Sequence, residues 1–521
     1  MELLTEFSEN IMSQCPETVQ ILHNLVLPLD ATRQEACFHA KKLLGLPPDT
    51  PAEVCRQSLD ARRKGSIRRV FSVAITTDLA DPRLVPRKHH TFNPGNVTAP
   101  KHPFVVGMGP AGLFCGYLLS LYGLCPILID RGQCVEVRTD DVQRFREGRE
   151  LDEDSNVSFG EGGAGTFSDG KLVTRINDPR TEEVLRILTE CGAPEEIRIE
   201  AKPHVGTDEL KKVIVSLRRK IEQNGGTFRY GTRLEALEVT NGKLTGAVLN
   251  GVREKVHTLV LATGNAARDV YRMLMASPAR LVAKPFSVGF RMEHLQQDIN
   301  HVLYGNDADR LPPADYAFSA HYPDGDAYTF CMCPGGEVIN ASCERGGLVT
   351  NGMSNHARAG RNANAALLAG VSFASPQEGI DFQRALEQAS FRLAGGPVPV
   401  TLQKHLQNGT VPHAFGKIRP TVCPDTVFAD FQDIFPSRIL AVLRHGLSDF
   451  SRRILNDDDA VLSAPETHTS APLRVLRDAE TLQATGIAGL YPCGEGAGYA
   501  GGITSSAADG LRVAEKILTN P

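Results

Sequence analysis

The chain has 521 residues, a net charge of −5 and 41% apolar residues. That length holds about three domains with cores that need no disulfide or metal staple, and the apolar content excludes a disordered chain. The slightly acidic balance argues against a general nucleic-acid binder, and no window approaches the ~20 apolar residues that span a bilayer.

The opening segment, MELLTEFSENIMSQ, carries acids early and lacks an apolar run, so it does not read as a signal peptide. The 12 cysteines are irregularly spaced, from Cys15 to Cys493, with no C-x-x-C pair. That pattern suits reduced thiols in a soluble, cytoplasmic protein rather than a secreted disulfide framework.

Residues 1–100 read as a small α/β domain ending in a linker. It holds a helix around Gln34–Leu44, a basic segment ARRKGSIRRV (Ala61–Val70), and a strand VFSVAITTD. Pro82, Pro86, Pro94 and Pro100 punctuate the linker. The basic segment reads as a solvated helix end leading into the strand, with contact to RNA or an anionic partner as the alternative.

From Pro103 the texture changes. FVVGMGPAG is an apolar strand running into a glycine turn, AGLFCGYLLSLYG a helix, and PILID a second strand. This β-α-β unit carries G-x-G-x-x-G at Gly107, Gly109 and Gly112, with Pro110 and Ala111 opening the helix. The first glycine permits the tight turn, the second lets a pyrophosphate approach the backbone, and the third lets helix and strand pack. The helix N-terminus then offers free N–H groups and a positive dipole end to the anion. Asp130, followed by Arg131, ends the next strand, where a carboxylate accepts from ribose hydroxyls.

That motif serves FAD or NAD(P) equally, and two distant segments favour FAD. LVLATG ends a strand at Thr263 and Gly264, and CGEGAGYAGGITSSAADG brings Gly494, Glu495, Gly501, Gly502, Ile503 and Thr504 to another helix start. A helix there would aim its dipole at a reduced, negatively charged flavin. GEGGAG at Gly160–Gly165 also fits G-x-G-x-x-G, but DEDSNVSF before it is a poor buried strand. Its Gly162, Gly163, Thr166, Ser168, Asp169 and Lys171 read instead as a loop lying on the cofactor, with Lys171 near phosphate or flavin.

Further on, Leu210–Gln223 is helical, and TFRYGTRLEALEV, KLTGAVLNG and KVHTLVLATG are strand-like. Residues 284–472 read as a mixed α/β substrate domain inserted between residues 101–283 and 473–521 of a Rossmann-like FAD-binding domain.

The chain resembles a family of FAD-dependent dehydrogenases of bacteria and plastids, within the glutathione-reductase-like flavoproteins. The resemblance rests on SLDARRKGSIRRVFSVAI, VVGMGPAGLFCGYLL, FGEGGAGTFSDGKLVTRI, KPHVGTDEL, LATGNAARDVY, KPFSVGFRMEHLQQDIN, FCMCPGGEVINAS, VTNGMSNHARAGRNANAAL and GEGAGYAGGITSSAADGL, and it runs over essentially the whole chain. It implies an FAD domain, an inserted substrate domain and a small N-terminal domain, but no particular substrate. One departure is His468 in THTSAPLR, where the family pattern has arginine; an anion there would need the imidazole protonated.

Four residues are candidates for catalysis. Cys331 and Cys333 form a C-x-C pair; on a strand both thiols would face one pocket, as a flavin-coupled dithiol, metal ligands or simple packing. Arg291 could clamp a carboxylate and His294 act as acid or base, against a structural Arg291–Glu293 pair and a satisfied histidine. Asn351, Asn355, Arg358, Arg361 and Asn364 form a polar stretch ahead of an apolar helix, and Asp457–Asp459 a solvated turn. No G-x-S-x-G or H-E-x-x-H supports hydrolysis.

The reading is an FAD-dependent oxidoreductase passing hydride between a small molecule and flavin N5. Reduction by NAD(P)H through transient docking is compatible with it. The alternatives are an NAD(P)H-fed double-bond reductase resembling geranylgeranyl reductase, a flavin-coupled thiol oxidoreductase, and a flavin-stabilised RNA- or protein-binding module.

Overall fold

The computed structural model describes residues 18–519 apart from 88, 89, 96 and 455. The opening segment and Cys15 lie outside the described residues. The chain forms two compact units, residues 1–91 with 195–203 and residues 92–194 with 204–521.

In the first unit β1 (Val19–Pro28), α1 (Arg33–Leu44), β2 (Ala52–Asp60), β3 (Arg68–Thr76) and β4 (Leu84–Pro86) follow in order. The strands make an antiparallel sheet, β2-β3-β1-β4. Thr32 and Glu35 cap α1 reciprocally, and Gly45 ends it at φ 68°. Leu22, Phe71, Val73 and Ile75 of alternate positions meet Ala36 and Ala40 of the helix. The basic segment is not a helix end: residues 61–67 are the loop of the β2–β3 hairpin, where Arg62 turns back onto Asp60. Ile199 joins this core, its carbonyl accepting from the Gln57 N–H (2.8 Å).

The second unit starts with β5 (Phe104–Val106), α2 (Pro110–Leu121), β6 (Ile127–Ile129), α3 (Val135–Arg146), α4 (Arg180–Glu190), α5 (Thr207–Gln223) and β7 (Thr227–Arg229). A small antiparallel sheet of β8 (Leu234–Thr240), β9 (Lys243–Leu249) and β10 (Val252–Lys255) precedes β11 (Leu259–Leu261) and α6 (Arg268–Met275). Then come β12 (Leu281–Ala283), β13 (Phe286–Leu295), α7 (Gln296–Tyr304), β14 (Ser319–Tyr322), β15 (Gly325–Cys333), β16 (Glu337–Asn340), β17 (Thr350–Met353) and β18 (Asn362–Val371). The unit closes with α8 (Pro376–Ala394), β19 (Val398–Leu402), α9 (Gln403–Asn408), β20 (Thr426–Phe428), α10 (Ser437–Arg453), β21 (Val461–Glu466), β22 (Leu473–Val475), β23 (Leu490–Pro492) and α11 (Ile503–Thr519).

Two sheets position the site. The first is parallel, β23-β11-β5-β6-β7. Its strands β23, β11, β5 and β6 are apolar and almost wholly buried, as strands covered on both faces require, while the edge strand β7 is part-exposed. The strand order reverses at β5, so the loop after β5 opens into the crevice where such sheets take ligands. The architecture is the Rossmann-like α/β fold with an additional mixed α/β part.

The second sheet, β14-β15-β18-β13-β21-β19-β20, is antiparallel except for β19–β20. Its inner strand β18, between β15 and β13, is the segment read as an apolar helix. NANAALLA is buried at every position, and a strand covered on both faces loses the alternation that marks strands. On β13, Phe290 packs on Phe431 and Phe435, so Met292 and His294 share that face while Ser287, Arg291 and Glu293 take the other. Among the described residues, no helix is long and apolar enough to cross a membrane.

Candidate cofactor and substrate site

The glycine turn is built to a tolerance of one methyl group. Gly107, at φ 100°, donates to the Ile129 carbonyl (2.8 Å), and a Cβ on it would run into the Ala262 carbonyl. A Cβ on Gly112 would run into the Gly107 carbonyl. Gly109 differs: it meets nothing nearer than the Gly163 Cα, 3.7 Å from where its Cβ would stand. It is also the N-cap of α2, with no side-chain cap, Pro110 following and no acid in the first turn. The helix start therefore keeps its N–H groups for an outside acceptor.

Asp130 braces this turn. Its carboxylate accepts from the Met108 N–H (2.9 Å) and the Gly132 N–H (2.9 Å), and it is 8% exposed. Each oxygen keeps a lone pair for a ribose hydroxyl. Arg131 is not available to a phosphate: it is paired with Asp269 (2.7 Å) and lies over the Phe159 ring (4.4 Å).

The loop of residues 160–172 docks onto the turn. No strand precedes it; residues 155–161 are bends and turns, and Ala164–Phe167 is one 3₁₀ turn. Gly162 donates to the Met108 carbonyl (2.7 Å), and a Cβ on Gly163 would stand 2.9 Å from the Gly109 Cα. Gly165 packs against Ile503, and Thr504 donates to the Leu172 carbonyl (2.8 Å). Ala111 lies beside Gly494 and Gly510 in the same way. The two glycine-rich helix starts and this loop thus converge.

A residue with no sequence signal holds the loop in shape. Arg138, on α3, is fully buried, and its guanidinium donates to the carbonyls of Asn156 (2.8 Å), Val157 (2.9 Å), Gly160 (3.3 Å), Glu161 (2.6 Å) and Gly163 (3.0 Å). An arginine in a charged helix ordinarily reads as solvated. Thr166, also fully buried, accepts from Thr207 through its carbonyl (2.6 Å), and Ser168 bonds within the loop to the Gly165 carbonyl (2.7 Å).

The C-terminal return is braced likewise. Asp509 accepts from the Gly494 N–H (2.8 Å) and pairs with Arg477 (2.6 Å). Asn265, just after Thr263 and Gly264, donates to the Glu495 carboxylate (3.1 Å) and the His468 carbonyl (3.1 Å). Burial raises the Glu495 carboxyl to about 7, with Lys284 pulling the other way. Gly501 and Gly502, ahead of α11, have open space where side chains would stand. His468 faces Glu387 (3.3 Å) and Arg268 (3.2 Å), and Arg268 is itself paired with Glu387 (2.6 Å). The imidazole is part of a buried ion-pair network rather than a free anion site.

Asp169 leads to the larger sheet. It is buried, accepts from Ser354, pairs with Arg358 (2.5 Å) and lies 3.1 Å from the Lys171 ammonium. Arg358 comes from the polar stretch, and so do Asn351 and Asn364, which bind Arg291.

Arg291 is fully buried, both its Nη groups are taken, and its Nε faces the Glu466 carboxylate. It donates to the Cys331 carbonyl (2.8 Å), Asn364 (3.2 Å), Asn351 (2.7 Å) and Glu466 (2.8 Å). It therefore clamps no outside carboxylate, and its acid is Glu466 rather than Glu293. Glu293 is held by Asn362 (2.9 Å) and Thr421 (2.7 Å). His294 is on the opposite sheet face, fully enclosed, and burial lowers it to about 4. It is a neutral buried imidazole near Asp457, Lys417 and Asp298, outside the cluster of Asp169, Lys171 and Arg291. Asp457 is buried and paired with Lys417 (3.1 Å), not a solvated turn.

The two thiols do not share a pocket. The β15–β18 register shifts between Phe330 and Cys333, and Cys331 sits at φ 42°. This bulge turns Cys331 outward, exposed, while Cys333 is buried with its thiol on the Cys331 carbonyl (3.4 Å). The surrounding protein nonetheless raises the Cys331 thiol to about 12, against the pull of Arg291 and Lys171. Among the described residues no three histidine, cysteine or acidic side chains group as a metal site.

Residues 285–469 match the family described as FAD-dependent protein, C-terminal domain-like. A Clostridium beijerinckii protein, described as uncharacterized, is 40% identical over 491 residues, 89% of this chain and 92% of that one. The chain belongs to the same family as this Clostridium beijerinckii protein. Solved structures are more distant from this family member. Halogenase PltM is 12% identical, over 80% of this chain and 69% of that one, at TM-score 0.37. The glycerol-3-phosphate dehydrogenase of Bacillus halodurans complexed with FAD is 10% identical, over 81% and 65%, at 0.35. The L-amino acid deaminase of Proteus myxofaciens is 11% identical, over 83% and 93%, at 0.31.

Proposed function

We propose that the protein binds FAD and is an oxidoreductase acting on a small molecule. The observation that carries this reading is the cradle at Gly109. Glycines 107, 112 and 163 are packed so that a methyl group would collide, yet a Cβ on Gly109 would meet only ordinary contact with the Gly163 Cα (3.7 Å), and the start of α2 has no side-chain cap. That is what a pyrophosphate needs and a merely structural turn does not. The match of residues 285–469 to a family described as FAD-dependent supports the same cofactor.

Bound FAD supplies hydride exchange with a substrate carbon at N5. The chain's own residues do the rest. Gly107, Gly109, Pro110, Ala111 and Gly112 would receive the pyrophosphate, and Asp130 a ribose. Gly162, Gly163, Thr166 and Ser168 would cover the cofactor, while Arg138 fixes their backbone. Glu495, raised to about 7 by burial, would be able to donate in its protonated form as well as accept, and Gly501–Thr504 would present the start of α11. Asp169, Lys171, Tyr328 and Cys331 would face the substrate, with Tyr328 held by Ser287 (2.5 Å).

The test is an anaerobic titration of the purified protein, following the flavin's visible band. About one FAD per chain is expected, released on denaturation; a colourless protein that takes up no added FAD would overturn the reading. Bleaching by NADH or NADPH would make the enzyme a nicotinamide-fed reductase, the form a double-bond reductase takes. No bleaching, with dithionite still effective, would make it a dehydrogenase reduced by its own substrate.

A further inference from the structure

Three cations and two acids meet beside the loop of residues 160–172: Lys171, Arg291 and Arg358 against Asp169 and Glu466. The two arginines are committed. Arg291 spends both Nη groups on four acceptors and sets its Nε against the Glu466 carboxylate, and Arg358 lies on Asp169 through Nε (3.0 Å) and Nη2 (2.5 Å). Lys171 differs. Its ammonium has Asp169 at 3.1 Å, and no hydrogen-bond acceptor among the described residues takes its remaining protons.

The ammonium is also oriented against habit. A lysine ordinarily buries its methylene stem and extends its charge into water. Here the side chain is 28% exposed, yet the Nζ atom itself is out of solvent. A buried ammonium with idle donors is costly unless an acceptor completes it.

The surroundings say what kind of acceptor is missing. The five side chains leave a formal charge of +1, and burial holds nearby His204 neutral by lowering it to about 4. Lys171 lies within electrostatic reach of Cys331 and Cys333, which belong to the seven-stranded sheet and not to the parallel one. The pyrophosphate already has its place at Gly109, so this charge is not needed there. We infer that Lys171 anchors an anion subsite for the substrate and that the substrate carries a carboxylate. This rests on the substrate lying against Lys171 and Cys331, as proposed above.

Cys331 is an exposed residue whose thiol is raised to about 12 by burial, so alkylation at alkaline pH, where thiolate forms, reports on that subsite. Iodoacetate and iodoacetamide are nearly equal in size and differ in charge. In the holoenzyme, the ratio of iodoacetate to iodoacetamide labelling at Cys331, read by peptide mass spectrometry, should exceed that in K171M by about tenfold. The ratio at half-buried Cys125 should stay constant, and K171R should keep most of the preference. In the unmodified protein, added formate should slow iodoacetate labelling at Cys331 and not at Cys125. Equal ratios in the two proteins, no effect of formate, or no labelling of Cys331 by either reagent would overturn the inference. The visible band is read alongside. Bound flavin without a preference refutes the anion subsite alone, and a preference without flavin refutes the cofactor reading alone.

Discussion

Arg291 on β13 is joined to Glu466 on β21, across two strands, and not to Glu293 two positions along its own strand. Both side chains are almost wholly out of solvent. Removing one member of such a pair strands the other charge, which costs about 3–5 kcal/mol. Glu466→Gln should therefore lower the urea midpoint steeply. Glu293→Gln should not, because Glu293 is held by neutral donors. Equal losses in the two variants would show that the pairing is wrong.

Arg138 carries a more local prediction. Its five carbonyl partners lie in the segment 156–163, so the guanidinium fixes the backbone that meets Gly109. Arg138→Lys keeps the charge but lacks the planar fork. It should fold and bind FAD at least about tenfold more weakly, since losing two or three such bonds is worth more than 1.4 kcal/mol. Unchanged FAD affinity by fluorescence titration would assign Arg138 to stability alone.

The parallel sheet and its glycine turn were legible because local chemistry dictates them. A strand, three glycines at fixed spacing and an apolar helix leave little choice of conformation. The larger sheet was less so. β18 is buried on both faces and carries four alanines, so its pattern matches a helix as well as a strand. The thiols of Cys331 and Cys333 were placed on one face by strand alternation, and a single-residue bulge undid that. Arg138, Glu466 and Asp509 gave no sign, because a charged side chain reads as solvated until its distant partners are known. Segment 195–203 likewise joins the first unit through contacts that sequence order hides.

The glycines of the turn should separate folding from cofactor binding. Gly109 has φ −74°, which any residue adopts, and a Cβ there meets only ordinary contact. Gly109→Ala should leave the melting temperature of the FAD-free protein within the ~1 kcal/mol of a capping change, yet fill the space needed by a pyrophosphate and weaken FAD by about 100-fold or more. Gly112→Ala forces a methyl group into the Gly107 carbonyl and should destabilise the protein with or without FAD. Normal FAD binding by Gly109→Ala would remove the observation on which the cofactor site rests.

Three buried carboxyls should make stability fall as pH rises through the acid range, an effect partly offset by His204 and His294, whose values burial lowers to about 4. Burial raises the carboxyls of Glu161, Glu293 and Glu495 to about 7 each. Unfolded, each would titrate near its ordinary value of 4.5. Between these values the folded chain holds protons that the unfolded chain has released. Raising the pH therefore favours the unfolded state across that window, and the penalty is complete above about 7. Glu293→Gln removes one of the three contributions and keeps the side chain's shape. Its amide can still accept from Asn362 and Thr421 through its oxygen. Relative to the unaltered chain, the variant should gain on the order of 2 kcal/mol between pH 4.5 and 8, with little gain at the acid end. Urea melts at half-unit pH intervals measure the difference. A gain independent of pH would mean that Glu293 is already ionised when the protein folds.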